Sequence, residues 1–247
     1  LASTGASHMK FQNGSGGYGS WVAYSTSHTH TLANTQGTRT VYVIFKDAAG
    51  NEASAVSDTI VFDNVVPTAG TVADGAGTDI DVQASDSVIK ANWTGFSDAT
   101  SGIAAYQWAI GTTSGGTQTM GWTTATSPAT KTGLSLSNGT TYYVSVKARD
   151  AAGNAYSSVA TSDGVAVDTA PPTSNSIKIN GTDTYTTSTS VTLTLASTGA
   201  SYMKFSNDGS SYGSYVSYNT SYSHTIGSSQ GTQKVWVIFK DAVGNEA

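Results

Sequence analysis

The alternation of apolar and polar positions along the chain predicts short strands separated by tight turns. The clearest run, Val41-Tyr42-Val43-Ile44-Phe45-Lys46, breaks into Asp47-Ala48-Ala49-Gly50-Asn51. A β-branched run followed by Asp-x-x-Gly-Asn is typical of a strand entering a turn, because Asp caps the turn and Gly-Asn accept its left-handed positions. No stretch has a sustained helical period with capping residues, so we expect almost no helix and an all-β fold.

This strand-and-turn segment occurs three times. It returns nearly unchanged at Val235–Asn245 and in a looser form at Tyr142–Asn154. Residues 1–53 align without a gap with residues 195–247, which gives a repeat unit of 194 residues. Repetition at this length predicts a tandem array of domains. The first copy starts inside a strand and the second stops before its final strand, so we expect two incomplete outer domains.

Prolines indicate where the domains meet. The segments Ser57–Asp63 and Ser162–Asp168 resemble each other, and each leads to proline, at Pro67 and at Pro171-Pro172. Proline fixes the backbone and stiffens a short linker. We therefore expect a first domain at 1–66 that lacks its first strand, a middle domain at 67–170, and a third domain at 171–247 that lacks its last strand. Each is predicted to be a β-sandwich.

The middle domain resembles a fibronectin type III domain. The segment Leu136–Ala148 resembles the F-strand region of that family, Trp93 its core tryptophan on strand B, and Tyr106–Ile110 its strand C. The resemblance implies an inward face and an outward face for the F strand. The inward residues would be Tyr142, Val144, Val146 and Ala148, and the outward residues Tyr143, Ser145, Lys147 and Arg149.

The outer domains resemble immunoglobulin-like repeats of bacterial secreted and surface proteins. The resemblance is carried by Met203–Gly209, Tyr212–Tyr218 and Val235–Asn245, and by their counterparts in the first copy. It implies immunoglobulin-like sandwiches in a tandem array, an extracellular or cell-surface location, and no catalysis.

Composition narrows the functional classes. Charged residues are 11% of the chain, the net charge is −5, and no basic cluster occurs, which argues against nucleic acid as a partner. The absence of cysteine excludes disulfides and zinc–thiolate sites. No apolar run is long enough to span a membrane as a helix. Only His30 and His224 correspond between the two copies, and no catalytic set of nucleophile, base and acid can be assembled, so we do not expect an enzyme.

Five aspartates are candidate ligands for Ca²⁺. Asp47, Asp150 and Asp241 each open a turn at the pole of a domain, and the linker residues Asp63 and Asp168 are expected near the same poles. Hard oxygen ligands from a turn and a linker could hold Ca²⁺ and stiffen the joint. Capping of the turn by its own aspartate explains the same residues without a metal. We expect no required cofactor, and Ca²⁺ is the candidate ion.

Aromatic and apolar residues suggest two kinds of surface. Tyr18, Trp21 and Tyr24 recur as Tyr212, Tyr215 and Tyr218, and such a set could stack on sugars or pack against the sandwich. The strands around Val43 and Val237 are apolar on both faces, and burying their outer faces would be favourable. We therefore predict a contact with a neighbouring domain or chain through the outward residues Tyr42, Ile44, Trp236 and Ile238.

Together these features predict a structural repeat segment of an extracellular bacterial fibre or of the stalk of a surface adhesin. Its partners would be further copies of the repeat, in the same polypeptide or by strand exchange in a filament. The alternative is a glycan-binding adhesive module, or an accessory array of a secreted carbohydrate-active enzyme, with surface glycans as ligands. Specific ligand binding by an isolated unit would distinguish the two.

Overall fold

The fold is all-β, as the sequence predicts. A computed structural model describes residues 1–247 and has nineteen strands and no helix, so it contains no helical segment that could cross a membrane. The strands form three consecutive groups, within residues 8–62, 71–167 and 173–240, and no sheet crosses from one group to the next. We use the names first, middle and third domain for the parts of the chain that hold these groups.

The first domain contains a single antiparallel sheet in the order β2-β1-β3-β4. Its fully buried core is small and consists of Met9, Val43 and Phe45. The long strand β3 lies between β1 and β4, so both of its edges are hydrogen-bonded over part of its length. The strands are β1 (His8–Asn13), β2 (Val22–Ala23), β3 (Gly37–Lys46) and β4 (Val56–Phe62).

The middle domain is a complete sandwich with the sheet arrangement of a fibronectin type III domain. A three-stranded sheet, β10-β7-β5, accompanies a larger sheet, β6-β13-β11-β8-β9, in which β12 also pairs with β11. The strands are β5 (Thr71–Asp74), β6 (Val82–Gln83), β7 (Val88–Thr94), β8 (Ile103–Gly111), β9 (Met120–Ala125), β10 (Ala129–Thr132), β11 (Thr141–Asp150), β12 (Ala160–Thr161) and β13 (Val165–Val167).

Strand β11 supplies the centre of the middle core. Its residues Tyr142, Val144, Val146 and Ala148 are all buried, as the fibronectin resemblance implies, and they pack with Trp93 and Trp108. The prediction that Ser145 faces solvent is wrong, because this residue is fully buried. Strand β12 lies along β11 at this point, and the Ser145 hydroxyl is 3.4 Å from the Thr161 hydroxyl.

The third domain has two three-stranded sheets, β14-β15-β18 and β17-β16-β19. Seven buried residues, among them Leu193, Met203 and Phe239, form its core. Strand β19 is half as long as its counterpart β3, because only β3 has a further strand, β4, along its outer edge. The strands are β14 (Thr173–Ile179), β15 (Ser190–Thr198), β16 (Tyr202–Ser206), β17 (Val216–Ser217), β18 (Ser221–Thr225) and β19 (Trp236–Lys240).

Candidate functional site at the domain joints

The Asp-x-x-Gly-Asn turn has the same internal geometry in all three domains. In the middle domain, Asp150 Oδ1 accepts hydrogen bonds from the Gly153 and Asn154 amides at 2.8 and 2.9 Å. Asp47 and Asp241 cap their turns in the same way. The glycine takes a positive φ of 84° in the middle turn, which a residue with a side chain adopts only at a cost. The Asp and Gly of the motif therefore form the turn, and the side-chain amide of the Asn is available for contacts outside it.

Asn154 uses its amide to hold the linker that precedes the middle domain. Its Nδ2 donates to the carbonyl oxygens of Asp63 and Val65, at 3.3 and 3.2 Å, as well as to Asp150 Oδ2 at 2.9 Å. The linker itself is bent by a bond from the Val65 amide to Asp63 Oδ1. The Ser101 hydroxyl donates to the other oxygen of Asp63. Two loops of the middle domain thus bind the end of the first domain.

The second joint repeats this arrangement. Asn245 Nδ2 donates to the carbonyl oxygens of Asp168 and Ala170, at 2.9 and 3.4 Å, and to Asp241 Oδ2 at 2.7 Å. The Ala170 amide bonds to Asp168 Oδ1 at 3.1 Å, as Val65 does to Asp63. We call this arrangement, of Asn154 with residues 63–65 and of Asn245 with residues 168–170, the linker clasp.

A buried proline follows each clasp. Pro67 and Pro172 are both buried, two residues beyond the second carbonyl that the asparagine holds. Proline restricts the backbone, and its packing leaves the linker little room to swing. Each joint therefore combines two side-chain hydrogen bonds with a packed, conformationally restricted residue.

Comparisons with known proteins concern the overall architecture. No protein-family model matches the chain. No curated protein matches it either. Among solved structures, titin domains A168–A170 are 15% identical with a TM-score of 0.43, over 99% of this chain and 80% of that one. The chicken CNTN1 FN1–FN3 domains are 14% identical with a TM-score of 0.38, over 97% and 85%.

A bacterial array is similar at the same level. The fibronectin(III)-like modules of Clostridium thermocellum CbhA are 14% identical with a TM-score of 0.34, over 68% of this chain and 82% of that one.

The first joint brings two of the candidate Ca²⁺ ligands together. Carboxylate oxygens of Asp63, Asp98 and Asp150 all lie within 4.8 Å of one another. Asp98 was not identified from the sequence, because it lies in a loop with no counterpart in the outer repeats. All three residues already accept hydrogen bonds, and Asp98 Oδ1 alone accepts three backbone amides. These amides, that of Ser101 first, hold the pKa of Asp98 below its usual range.

The other candidate ligands are not grouped in threes. Asp168 and Asp241 share only Asn245 at the second joint, and no third carboxylate joins them. Burial raises the pKa of Asp241, but hydrogen bonds from Asn245 and Gly244 outweigh it and leave the pKa lowered. At Asp47, hydrogen bonds from Asn51 lower the pKa. Turn capping thus accounts for the contacts of these aspartates, and Ca²⁺ at the joints stays a prediction.

The aromatic residues proposed for sugar stacking do not share one surface. Tyr24 and Tyr218 pack edge-on against Phe45 and Phe239 at the cores. Trp21 lies under the ammonium groups of Lys10 and Lys46, at 4.4 and 4.3 Å from the ring centroid. Tyr215 has the same position between Lys204 and Lys240, at 4.5 and 3.7 Å. Tyr18 and Tyr212 lie further from Lys10 and Lys204, at 5.4 and 5.6 Å.

The residues predicted to form an interface are only partly covered by their own domain. Tyr42, Ile44 and Ile238 are half-buried, and Trp236 is 37% exposed. Lys204 stands opposite Ile238 on the neighbouring strand, so its stem and the stacked Tyr215 share that face. Contact of this face with another domain or chain remains a prediction.

The two corresponding histidines have structural partners. His30 and His224 bond through Nε2 to the side-chain oxygens of Asn13 and Asn207, at 2.9 and 2.8 Å. Each ring also packs against a phenylalanine, Phe11 or Phe205. These contacts explain why both copies have histidine here.

Sequence reasoning missed Asn154 and Asn245 as functional residues. The sequence contains a signal, because the asparagine of the motif recurs in every turn, but the local pattern indicates only a role in turn conformation. The linker carbonyl that Asn154 holds lies 91 positions earlier in the chain, and the one that Asn245 holds lies 77 positions earlier.

Proposed function

We propose that the chain is a structural repeat segment of an extracellular bacterial fibre or adhesin stalk, and that its domains act as rigid spacers. The observation that carries this proposal is the linker clasp, which has the same donor, the same two linker carbonyls and a buried proline at both joints. A joint built twice in the same way gives each successive domain a defined orientation. Such an orientation is what a load-bearing or distance-setting array requires.

Exposed surfaces favour the spacer over a sugar-binding module. The best aromatic platforms, Trp21 and Tyr215, each have two lysine ammonium groups over the ring. A sugar would have to displace these lysines before it could stack. Binding of a glycan that is lost on Tyr215→Ala would favour the alternative function instead.

The rigidity of the joints can be measured by electron–electron spin distances across each joint in the 247-residue chain. We expect narrow distance distributions in the wild type. Asn154→Ala should broaden the distribution across the first joint only, and Asn245→Ala that across the second. Each substitution removes two bonds to the linker but leaves the aspartate cap on the backbone amides.

Asn51→Ala is the matched control, because Asn51 makes the same bonds to its own Asp47 and none to a linker. It should leave both distance distributions unchanged. Broad distributions in the wild type, or equal broadening in all three variants, would contradict a spacer function.

The location of the protein needs a separate experiment. Antibodies against the 247-residue chain, applied to intact producing cells, should label filaments that extend from the surface when viewed by electron microscopy. Labelling seen only after the cells are opened would contradict the extracellular part of the proposal and leave the rigidity of the joints untouched.

A further inference from the structure

A second group of three aspartates lies in the middle domain, and none of its members takes part in the two linker clasps. Carboxylate oxygens of Asp74, Asp79 and Asp163 lie within 4.8 Å of one another. Asp74 ends strand β5, Asp79 lies in the loop that follows, and Asp163 lies between β12 and β13. Asp79 and Asp163 are exposed, whereas Asp74 is completely buried. The group is therefore open to solvent on one side and anchored in the sandwich on the other.

Asp74 differs from the aspartates at the joints because one of its oxygens has no donor. Its Oδ2 accepts the Gly164 amide at 3.0 Å, but its buried Oδ1 has no hydrogen-bond partner. A buried carboxylate oxygen without a partner is unfavourable unless a cation or a proton compensates it. The carboxylate with this unpartnered oxygen is the one that meets Asp79 and Asp163.

No basic side chain compensates the three charges. The salt bridges of the chain, Lys10–Glu52 and Lys204–Glu246, both lie in the outer domains. Three carboxylates therefore lie together, and one of them has a buried oxygen without a hydrogen-bond partner.

The loop between Asp74 and Asp79 is held in place by the domain. The Asp74 amide donates to Asp79 Oδ1 at 2.7 Å, so the two aspartates are tied together through the backbone. Asn92 Nδ2 donates to the carbonyl oxygens of Gly75 and Gly77 and fixes the turn between them. Gly75 has a φ of 89°, and a Cβ there would lie 2.8 Å from the Thr78 carbonyl oxygen. The aspartates are thus held close together before any ion binds.

We infer that Asp74, Asp79 and Asp163 form a Ca²⁺-binding site of the middle domain. Ca²⁺ accepts several carboxylates together with carbonyl and water oxygens in a flexible geometry. Mg²⁺ is usually held by one or two carboxylates and keeps most of its water, so it fits a three-carboxylate group less well. A bound ion would link the loop after β5 to the loop before β13.

Calorimetric titration of the 247-residue chain with CaCl₂ and with MgCl₂, after removal of metal with a chelator, tests the site. We expect one saturable Ca²⁺ site, weaker binding of Mg²⁺, and a higher melting temperature in Ca²⁺. Asp163→Asn, at an exposed position, should weaken Ca²⁺ binding by about ten-fold or more, because it removes one of three ligand charges. Its melting curve in chelator should match that of the wild type, which shows that it is folded.

Asp98→Asn is the matched control, because it alters the aspartate group at the first joint. It should leave Ca²⁺ affinity unchanged. The amide resonance of Gly164, which donates to Asp74, should shift during the titration, and that of Gly153, which donates to Asp150, should not. Absence of saturable Ca²⁺ binding would overturn the inference. Loss of binding in Asp98→Asn with normal binding in Asp163→Asn would overturn it as well.

Discussion

The side-chain amide of Asn154 joins two parts of the chain that are far apart in sequence. It bonds to its own turn through Asp150 and to the linker carbonyl of Asp63, 91 residues earlier. The acceptors on the linker are backbone oxygens, which every residue type offers. At the residue scale, therefore, the motif asparagine determines the joint, and the side chains at most linker positions do not.

A glycine at the tip of the third domain tests another contact of a single residue. A Cβ on Gly209 would lie 3.0 Å from Cε2 of Trp236, and φ at Gly209 is 75°. Gly199 has a similar φ of 88°, and a Cβ added there would meet nothing within 4 Å. Gly199→Ala should lower the free energy of unfolding by about 1 kcal/mol through backbone strain alone.

Gly209→Ala should lower that free energy by about 1 kcal/mol more, because the ring of Trp236 must move. Denaturant unfolding followed by the NMR signals of the third domain provides the measurement. Equal losses in the two variants would show that Trp236 does not pack on this turn.

Strands β3 and β19 show how a neighbouring strand determines the length of an element. The two sequences are nearly the same, but β3 spans ten residues and β19 only five. The additional residues of β3 pair with β4 through contacts such as Thr38 with Val61 and Thr40 with Thr59. Strand propensity alone therefore does not set these bounds, since a ladder needs a partner.

Hydrogen exchange checks this difference without any substitution. The amide of Arg39 should exchange at least about a hundred times more slowly than that of Gln233, because only Arg39 lies opposite a strand such as β4. Both residues lie in one chain, and Gln233 occupies in the second copy of the repeat the position that Arg39 occupies in the first. Equal exchange rates for these two amides would contradict pairing with β4 as the reason for the greater length of β3.

The sequence predicts the elements better than it predicts the sites. The resemblance to fibronectin type III domains correctly gives the buried residues Tyr142, Val144 and Val146 of β11. The predicted exposure of Ser145 is wrong, because strand β12 covers this residue and is too short to detect by alternation. Asp74, at the end of β5, and Asp163, in a later loop, come together although they are 89 residues apart in sequence, and the outer repeats contain no second copy of them. Contacts between distant loops depend on register, which a single sequence does not specify.

The three domains differ greatly in the size of their cores. The buried clusters hold fourteen residues in the middle domain, seven in the third and three in the first. Burial of apolar surface is the main favourable term in folding, so stability should follow the same order. For the molecule as a whole, this means that the ends of the 247-residue chain open before its centre.

Limited proteolysis with mass spectrometry should therefore cut the first domain earliest and the middle domain last. Thermolysin digestion at several temperatures, with the cut sites identified at each, gives the order of opening. Early cuts should fall within residues 1–36, where exposed loops separate short strands. A first cut inside β7, β8 or β11 would contradict the order inferred from the cores.

The clasp has a consequence for the time at which each joint is made. During synthesis from the amino terminus, the linker carbonyl of Asp63 emerges well before Asn154, the residue that will hold it. The joint between two domains can close only after the Asp-x-x-Gly-Asn turn of the second domain has emerged and formed. In a tandem array of such domains, each joint would therefore be made one domain behind the ribosome.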